Sequence, residues 1–285
     1  MSLLDFIMVT LLTIGVLSAG MAFAKQGKNM TSFFAAGGAV PWQTSGLSLF
    51  MSFFSAGTFV VWGSVAYLHG WVAISIQWTM ALAGLLVGTC IAPRWHRTGS
   101  LTVAEYIDKR LGVHVQKTYT FLFLFISLFL TASFLYPVAK IVEVSTALDL
   151  NLCIILLGAF CILYVSAGGL WAVVSTDVLQ FIILMAAIII VVPLSLERVD
   201  GLHALLSQLP DRYFQLTANE YPLLFILAFG LYNAIFLGGN WAYVQRFTCV
   251  RTSTDAKRVG WFFAALYFVS PILWMLPPMV YYLLN

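Results

Sequence analysis

Ser52-Phe53-Phe54-Ser55-Ala56-Gly57-Thr58 is the stretch on which the reading of this chain turns. It is an island of small and hydroxylated residues at the centre of an apolar run, 41–67, that is otherwise long enough to cross a bilayer. Ser, Gly and Thr lower helical preference, and their side chains offer local hydrogen bonds that compete with the helix. Hydrocarbon tolerates an interrupted helix only where the backbone is buried in protein or lines a cavity. Two readings follow. Unwinding at mid-membrane frees carbonyl oxygens that suit a hard cation such as sodium, or the small residues let the helix pack closely against a neighbour.

Composition places this island in a membrane. The chain has 285 residues, of which 61% are hydrophobic and 9% charged, against about 25% charged in a soluble domain. Its mean hydropathy is +0.95. These values exclude a soluble globular enzyme, a disordered chain and a disulfide-rich secreted module. Cys90, Cys153, Cys161 and Cys249 form no CxxC pair, and no Cys or His cluster has metal-ligand spacing. Eight apolar stretches stand out: 3–24, 41–67, 71–92, 119–146, 151–167, 172–196, 221–246 and 259–284. Ala22-Phe23-Ala24 has the form of a signal-peptide cleavage site. However, no Lys or Arg precedes that run, Asp5 sits in it near its start, and Lys25 and Lys28 follow it. This is the charge order of a first span with its N-terminus outside.

With that start, all 14 Lys and Arg sort by the positive-inside rule. The inner loops hold Lys25, Lys28, Arg94, Arg97, Lys109, Arg110, Lys117, Arg246, Arg251, Lys257 and Arg258. The outer loops hold only Arg198 and Arg212, and Lys140 lies in a span. Both termini are expected outside. In the outer loop 197–220, Leu202, Leu205, Leu206 and Leu209 predict a short helix on the membrane surface. In the inner loop 93–118, Thr102 to Arg110 also reads as helical. The glycosylation pattern Asn29-Met30-Thr31 falls inside, where it goes unused.

The seventh span repeats the theme of the second, with Gly230, Asn233 and Gly238-Gly239-Asn240. It lies five spans later, and an odd offset reverses direction. Two interrupted helices in that relation are what an inverted-repeat transporter shows. Ionisable residues within spans are candidates by default. Asp177 reads either as a helix-start carboxylate following Gly168-Gly169 or as a cation relay on the inner exit path. Lys140 and Glu143, three apart, read as a snorkelling lysine with a local ion-pair partner. Ser55, Thr58, Gln77, Thr79, Asn233, Asn240 and Tyr243 supply polar groups that could meet at the core, with Trp62, Trp78 and Trp241 as flat walls. No carboxylate pair or Ser/His/Asp set lies in the spans, and all four histidines are in or beside loops. A membrane enzyme is therefore disfavoured.

The stretch Ala167-Gly168-Gly169-Leu170-Trp171-Ala172-Val173-Val174-Ser175-Thr176-Asp177-Val178-Leu179-Gln180 resembles the GG-x-x-AV-x-x-TD-x-x-Q signature of the sodium:solute symporter family. Ser32 to Gly38, with Pro41-Trp42 and Gly46 to Phe50, resembles the family's FFLAGR-x-x-PWW…GLSLF segment. Thr102 to Gly112 is similar to its T-x-x-E-[YF]-x-x-x-R-[FL]-G loop, and Val244-Gln245-Arg246 to its QR[YF] element. The resemblance implies an all-α, multispanning membrane protein with about eight transmembrane helices. The fold would be an incomplete form of the family's inverted repeat of five plus five helices. It implies one membrane domain, 1–285, in which 1–30 is an extra N-terminal span and inner loop. Residues 31–196 would be the first five-helix repeat, 197–220 an outer loop with a surface helix, and 221–285 the first two helices of the second repeat.

The resemblance also implies roles. Main-chain oxygens of Met51 and Phe54 would supply part of a sodium site, whose other half lies on a later core helix. Asp177 would line the sodium pathway. Thr58, Gln77 and Asn240 would contact solute. Gln77 stands where a sugar transporter has Glu, and Gly57 where another Glu is found. The implied function is sodium-coupled transport of a small polar solute, sugar-like or otherwise organic, by alternating access from the cell membrane. Sodium is the coupling ion, with no other cofactor or metal. The partners are the solute, sodium, the bilayer and a missing C-terminal half, with no nucleic acid. The alternatives are a non-transporting fragment or split-gene half that needs that partner, and a transporter-like sensor module.

Overall fold

The computed structural model describes residues 3–22, 29–55, 57–146 and 148–285. Phe23, Ala24, Lys25, Lys28 and Ala56, which entered the topology and the central island, lie outside the described residues. In chain order the helices are α1 (Leu3–Ala22), α2 (Met30–Ala35), α3 (Trp42–Met51), α4 (Gly63–His69), α5 (Trp71–Leu86), α6 (Ala92–Arg97) and α7 (Val103–Leu111). They continue with α8 (Val113–Thr146), α9 (Leu150–Glu197), α10 (Leu202–Gln208), α11 (Leu223–Gly239), α12 (Trp241–Thr248), α13 (Ser253–Trp274) and α14 (Leu276–Leu284). No strand occurs among the described residues.

The expected spans map onto these helices unevenly. Trp71–Arg97, Val113–Thr146, Gly168–Glu197 and Ser253–Leu284 are each long and apolar enough to cross a membrane, and α11 with α12 is long and apolar enough as a pair, bent by 60°. The first expected span coincides with the 20 residues of α1. The fifth is the shorter apolar helix Leu150–Leu163, which runs on into the turn at Gly169. The second, 41–67, is interrupted, as its central composition predicts.

The chain forms two compact units. One comprises Met1–Val40 with Thr98–Leu179, the other Pro41–Arg97 with Gln180–Asn285. In the first unit, α2 opens on a capping box. Asn29 Oδ1 accepts from the Ser32 N–H at 2.7 Å, and Ser32 Oγ accepts from the Asn29 N–H at 3.2 Å. At α7 the Thr102-x-x-Glu105 pattern makes a related cap, with the carboxylate reaching one residue further back. Thr102 Oγ1 accepts from the Glu105 N–H at 3.1 Å, and Glu105 Oε2 accepts from the Leu101 N–H at 2.8 Å. The Lys109 ammonium, 2.6 Å from Glu105, holds that carboxyl below the usual range, helped by the Leu101 N–H. Lys140 pairs with Glu143 at 2.5 Å on α8.

Helix α9 breaks at Gly169, whose φ of 57° and ψ of −144° suit only glycine. A Cβ there would sit 2.6 Å from the Phe33 carbonyl oxygen. Two of the sequence motifs thus meet in one backbone contact, and the second glycine of Gly168-Gly169 is what allows it.

In the second unit, α5 packs against both α11 and α13, and α3 also lies on α13. The crossing of α5 with α13 is backbone to backbone, at Gly84 in α5 and at Gly88 in the π-helical turn Val87–Ile91 that continues it. A Cβ on Gly88 would lie 2.9 Å from the Gly260 Cα, and one on Gly84 2.6 Å from the Phe263 ring. The outer loop carries its short helix, α10, with Leu205 and Leu209 buried while Leu202 and Leu206 stay exposed. The leucine stripe is therefore shared between protein and surroundings. Burial raises the Tyr213 hydroxyl pKa, and that hydroxyl donates to the Tyr67 carbonyl.

Gly169→Ala is expected to cost roughly 1–3 kcal/mol for the backbone alone, and more for displacing Phe33. Gly158→Ala, in the same helix with only Leu135 at 3.8 Å from its new methyl, should be neutral or stabilising by up to about 1 kcal/mol. Thermal unfolding of the two variants in detergent compares them.

Candidate functional site

The break in the second expected span is held by its own side chains. Helix α3 ends at Met51. Ser52 Oγ donates to the Ser48 carbonyl at 2.7 Å. The Phe53 N–H reaches the Phe50 carbonyl at 3.2 Å, and the Phe54 N–H the Met51 carbonyl at 2.9 Å. These are three-residue turns rather than α-helical bonds. Thr58 closes the break from the other side. Its Oγ1 accepts from the Ser55 N–H at 3.2 Å and donates to the Phe53 carbonyl at 3.3 Å. The chain then resumes as a π-helical turn, Thr58–Trp62, before α4, a geometry found mostly at functional sites.

The second break lies between α11 and α12. Asn240 leaves helical geometry at φ −79° and ψ 122°, and its Oδ1 caps α12 by accepting from the Ala242 N–H at 3.0 Å. About two turns earlier in α11, buried Asn233 donates from Nδ2 to Thr79 Oγ1 at 2.8 Å. Where the two breaks meet, Phe53 stacks on Tyr243, with centroids 4.2 Å apart at 21°. Trp274 stands edge-on to Phe54 at 4.5 Å, and Tyr267 packs on Phe50 at 5.1 Å.

A buried arginine ties the two broken helices together. Arg246, 7% exposed, donates from Nε to Ser48 Oγ at 3.1 Å and from Nη1 to the Ala242 carbonyl at 2.9 Å. Ser45 Oγ donates in turn to the Arg246 carbonyl at 2.6 Å. One guanidinium therefore spans α3 and α12 beside both breaks. Positive-inside counting treats Arg246 only as a loop charge, so its burial goes unread. The signal available in the sequence is Ser45 and Ser48, three apart on one helix face, with a Gln-Arg pair after the second break.

The site residues expected from the sequence fall as follows. Met51, Phe54, Thr58, Gln77 and Asn240 all belong to the second unit. Met51 and Phe54 lie in the first break, and among the described residues the Met51 carbonyl accepts from the Phe54 N–H, which leaves a second lone pair. The Thr58 hydroxyl and the Asn240 carbonyl oxygen are occupied in holding their breaks. Gln77 is 5% exposed on α5, and its amide makes no hydrogen bond among the described residues. Asp177 belongs to the first unit and is half-buried. It sits eight residues beyond the Gly169 turn, past the first turn within which a helix start favours a carboxylate. No group of three or more His, Cys, Asp or Glu residues suited to a metal occurs among the described residues. Carbonyl oxygens in an unwound turn suit a hard monovalent cation instead.

The model of the sodium:solute symporter family matches residues 33–221. The chain belongs to that family. It is a multi-pass membrane protein of a transporter family, not an enzyme. It is 26% identical over 274 residues to a sodium/glucose cotransporter of Vibrio parahaemolyticus, covering 90% of this chain and 50% of that one. It is 27% identical over 261 residues to the human sodium/iodide cotransporter, covering 88% and 40%. It is also 26% identical over 186 residues to the sodium/sialic acid symporter NanT of Aliivibrio fischeri, covering 65% and 37%. The fold superposes on a solved sodium-coupled sialic acid symporter in its substrate-bound, outward-open state with a TM-score of 0.87. That match has 21% identity and covers 99% of this chain and 60% of that one. The chain thus spans about half the length of the Vibrio relative.

Arg246→Met removes the guanidinium bonds to Ser48 Oγ and to the Ala242 carbonyl and should cost roughly 2–3 kcal/mol, while Ser48→Ala should cost about 1 kcal/mol. Chemical denaturation in mild detergent measures both.

Proposed function

We propose that this chain carries the ion- and solute-binding helices of a sodium-coupled symporter for a small polar solute, working by alternating access in the cell membrane. The observation that supports this most directly is the meeting of two interrupted helices through Phe53 and Tyr243. Each break is closed by local side chains, and a buried arginine ties the two helices together. In this reading, main-chain oxygens of Met51 and Phe54 replace part of the sodium hydration shell. Asp177 serves the ion's inward path. Gln77, 5% exposed and with an amide that makes no hydrogen bond among the described residues, turns to the solute together with the Nδ2 of Asn240 and the region of Thr58. A neutral amide-lined site fits hydroxylated or zwitterionic organic solutes better than a simple cation. The sodium gradient supplies the energy, and the solute moves when the binding helices change their exposure. The N- and C-termini of the chain face outside, 31–196 acts as the first repeat, and 221–285 opens the second.

A second reading follows from the chain's length relative to its relatives. Here the chain is a half that transports only with a C-terminal partner supplying the remaining sodium ligands.

Thermal unfolding of the purified chain in sodium against potassium, at equal ionic strength, tests the site. A ligand bound only to the folded state stabilises by about 2.7 kcal/mol at a hundredfold excess over Kd. A saturable, sodium-specific rise is expected. No difference in a well-folded sample sinks autonomous binding and leaves the partner reading. In proteoliposomes that take up a labelled sugar or sialic acid with sodium, Asp177→Asn should lower uptake by weakening sodium dependence. Gln77→Leu should raise the KM for solute about tenfold or more, the effect of losing one hydrogen bond to a buried polar group. Unchanged kinetics in both variants refute the assigned roles.

A further inference from the structure

The α5–α13 seam carries a second candidate site, away from the broken helices. Because Gly88 and Gly260 bring the two backbones together, the exposed flank of the seam is a furrow of about 470 Å³ rather than a ridge of side chains. Ala81 and Ala264 lie buried beneath it. Trp78 and Phe268 stack across it at 5.3 Å and 16°. Both indole N–H groups on its walls are already satisfied: Trp78 donates to the Phe268 carbonyl at 2.9 Å and Trp261 to Thr89 Oγ1 at 3.0 Å. The furrow therefore presents only ring faces and aliphatic carbon, with Leu82 66% and Trp261 45% exposed.

One end of the furrow is cationic. The Lys257 Nζ stands 4.4 Å from the centroid of the Trp261 ring and makes no ion pair among the described residues. The neighbouring carboxylate, Asp255, is taken by Arg258 at 3.2 Å. Arg94 and Arg97, both exposed, end the helix on which Trp78 and Leu82 lie. An apolar trough that runs to an uncompensated lysine matches an occupant with a hydrocarbon tail and an anionic head. The geometry points to a site for a single anionic phospholipid, its acyl chain in the α5–α13 furrow and its phosphate on Lys257. Charge complementarity selects the headgroup, since a zwitterionic lipid carries its own cation beside the phosphate.

The test is thermal unfolding of the purified chain in detergent, titrated with dioleoyl phosphatidylglycerol or with dioleoyl phosphatidylcholine. The glycerol lipid should raise the melting temperature saturably and the choline lipid should not. Lys257→Gln should raise the half-saturating concentration about fivefold, the effect of one lysine near an anionic surface, without changing the lipid-free melting temperature. Ala265→Trp, which fills the furrow at an exposed position, should abolish the shift. Arg198→Gln, in the outer loop, should leave it intact. Four results overturn the proposal: equal effects of the two lipids, a Lys257→Gln variant that titrates as the parent does, an equal loss in Arg198→Gln, or reproduction of the shift by inorganic phosphate. A dimer by light scattering that persists in the glycerol lipid also overturns it, because a second copy then fills the furrow.

Discussion

An interrupted helix inside a membrane must satisfy its own peptide groups, and the structure around residues 52–58 is organised by that constraint. In hydrocarbon an unpaired N–H or C=O costs several kcal/mol. Here Ser52 and Thr58 answer it at short range, one hydroxyl on each side of the break. The hydroxyls that mark the stretch in the sequence are thus chiefly structural. They stabilise a non-helical turn and leave main-chain oxygens at mid-span directed by geometry rather than by a ligand. The second break uses the same economy of means, with Asn240 as both the last residue before the bend and the cap of the helix after it.

Arg246 gives the two breaks a common reference. A buried guanidinium is costly unless its donors are matched, and here Nε donates to Ser48 on one helix and Nη1 to the Ala242 carbonyl on the other. Such a group resists relative sliding because any displacement exposes a charge-bearing donor to apolar surroundings. Aromatic packing of Phe53 on Tyr243 and of Trp274 on Phe54 fills the rest of the space between them. The binding region is therefore built from local turns held by a long-range polar tie, with rings rather than aliphatic chains as the filler.

Much of this was legible in the sequence, because hydropathy, caps and helix-breaking composition act over short distances. The apolar runs, the break at 52–58, the Asn240 interruption, the Lys140–Glu143 pair and the Thr102–Glu105 helix start each depend on residues close in the chain. What the sequence left unread depends on what comes from elsewhere. Arg246 counts as a loop charge until α3 is placed beside it. Gly169 is only the second glycine of a motif until the Phe33 carbonyl is found where its Cβ would be. That the Thr58 hydroxyl and the Asn240 carbonyl oxygen hold the two breaks also needed the folded backbone around them, as did the amide of Gln77, which makes no hydrogen bond among the described residues. The burial of Leu205 and Leu209, against the exposure of Leu202 and Leu206, likewise required the neighbours of α10.

The contact between Gly88 and Gly260 has a mechanical consequence. Helices that interdigitate through long side chains can creep past each other as rotamers change, since each knob has slack. Two backbones in direct contact have none, and the nearest neighbours of Gly260 are the Gly88 backbone and the Gly84 carbonyl. Helices α5 and α13 therefore form a stiff beam. Motion that reaches one of them, from the break at residues 52–55 or from the bend at Asn240, carries the other with it. The beam ends at the turn near Gly70 and at the step from Trp274 to Leu276.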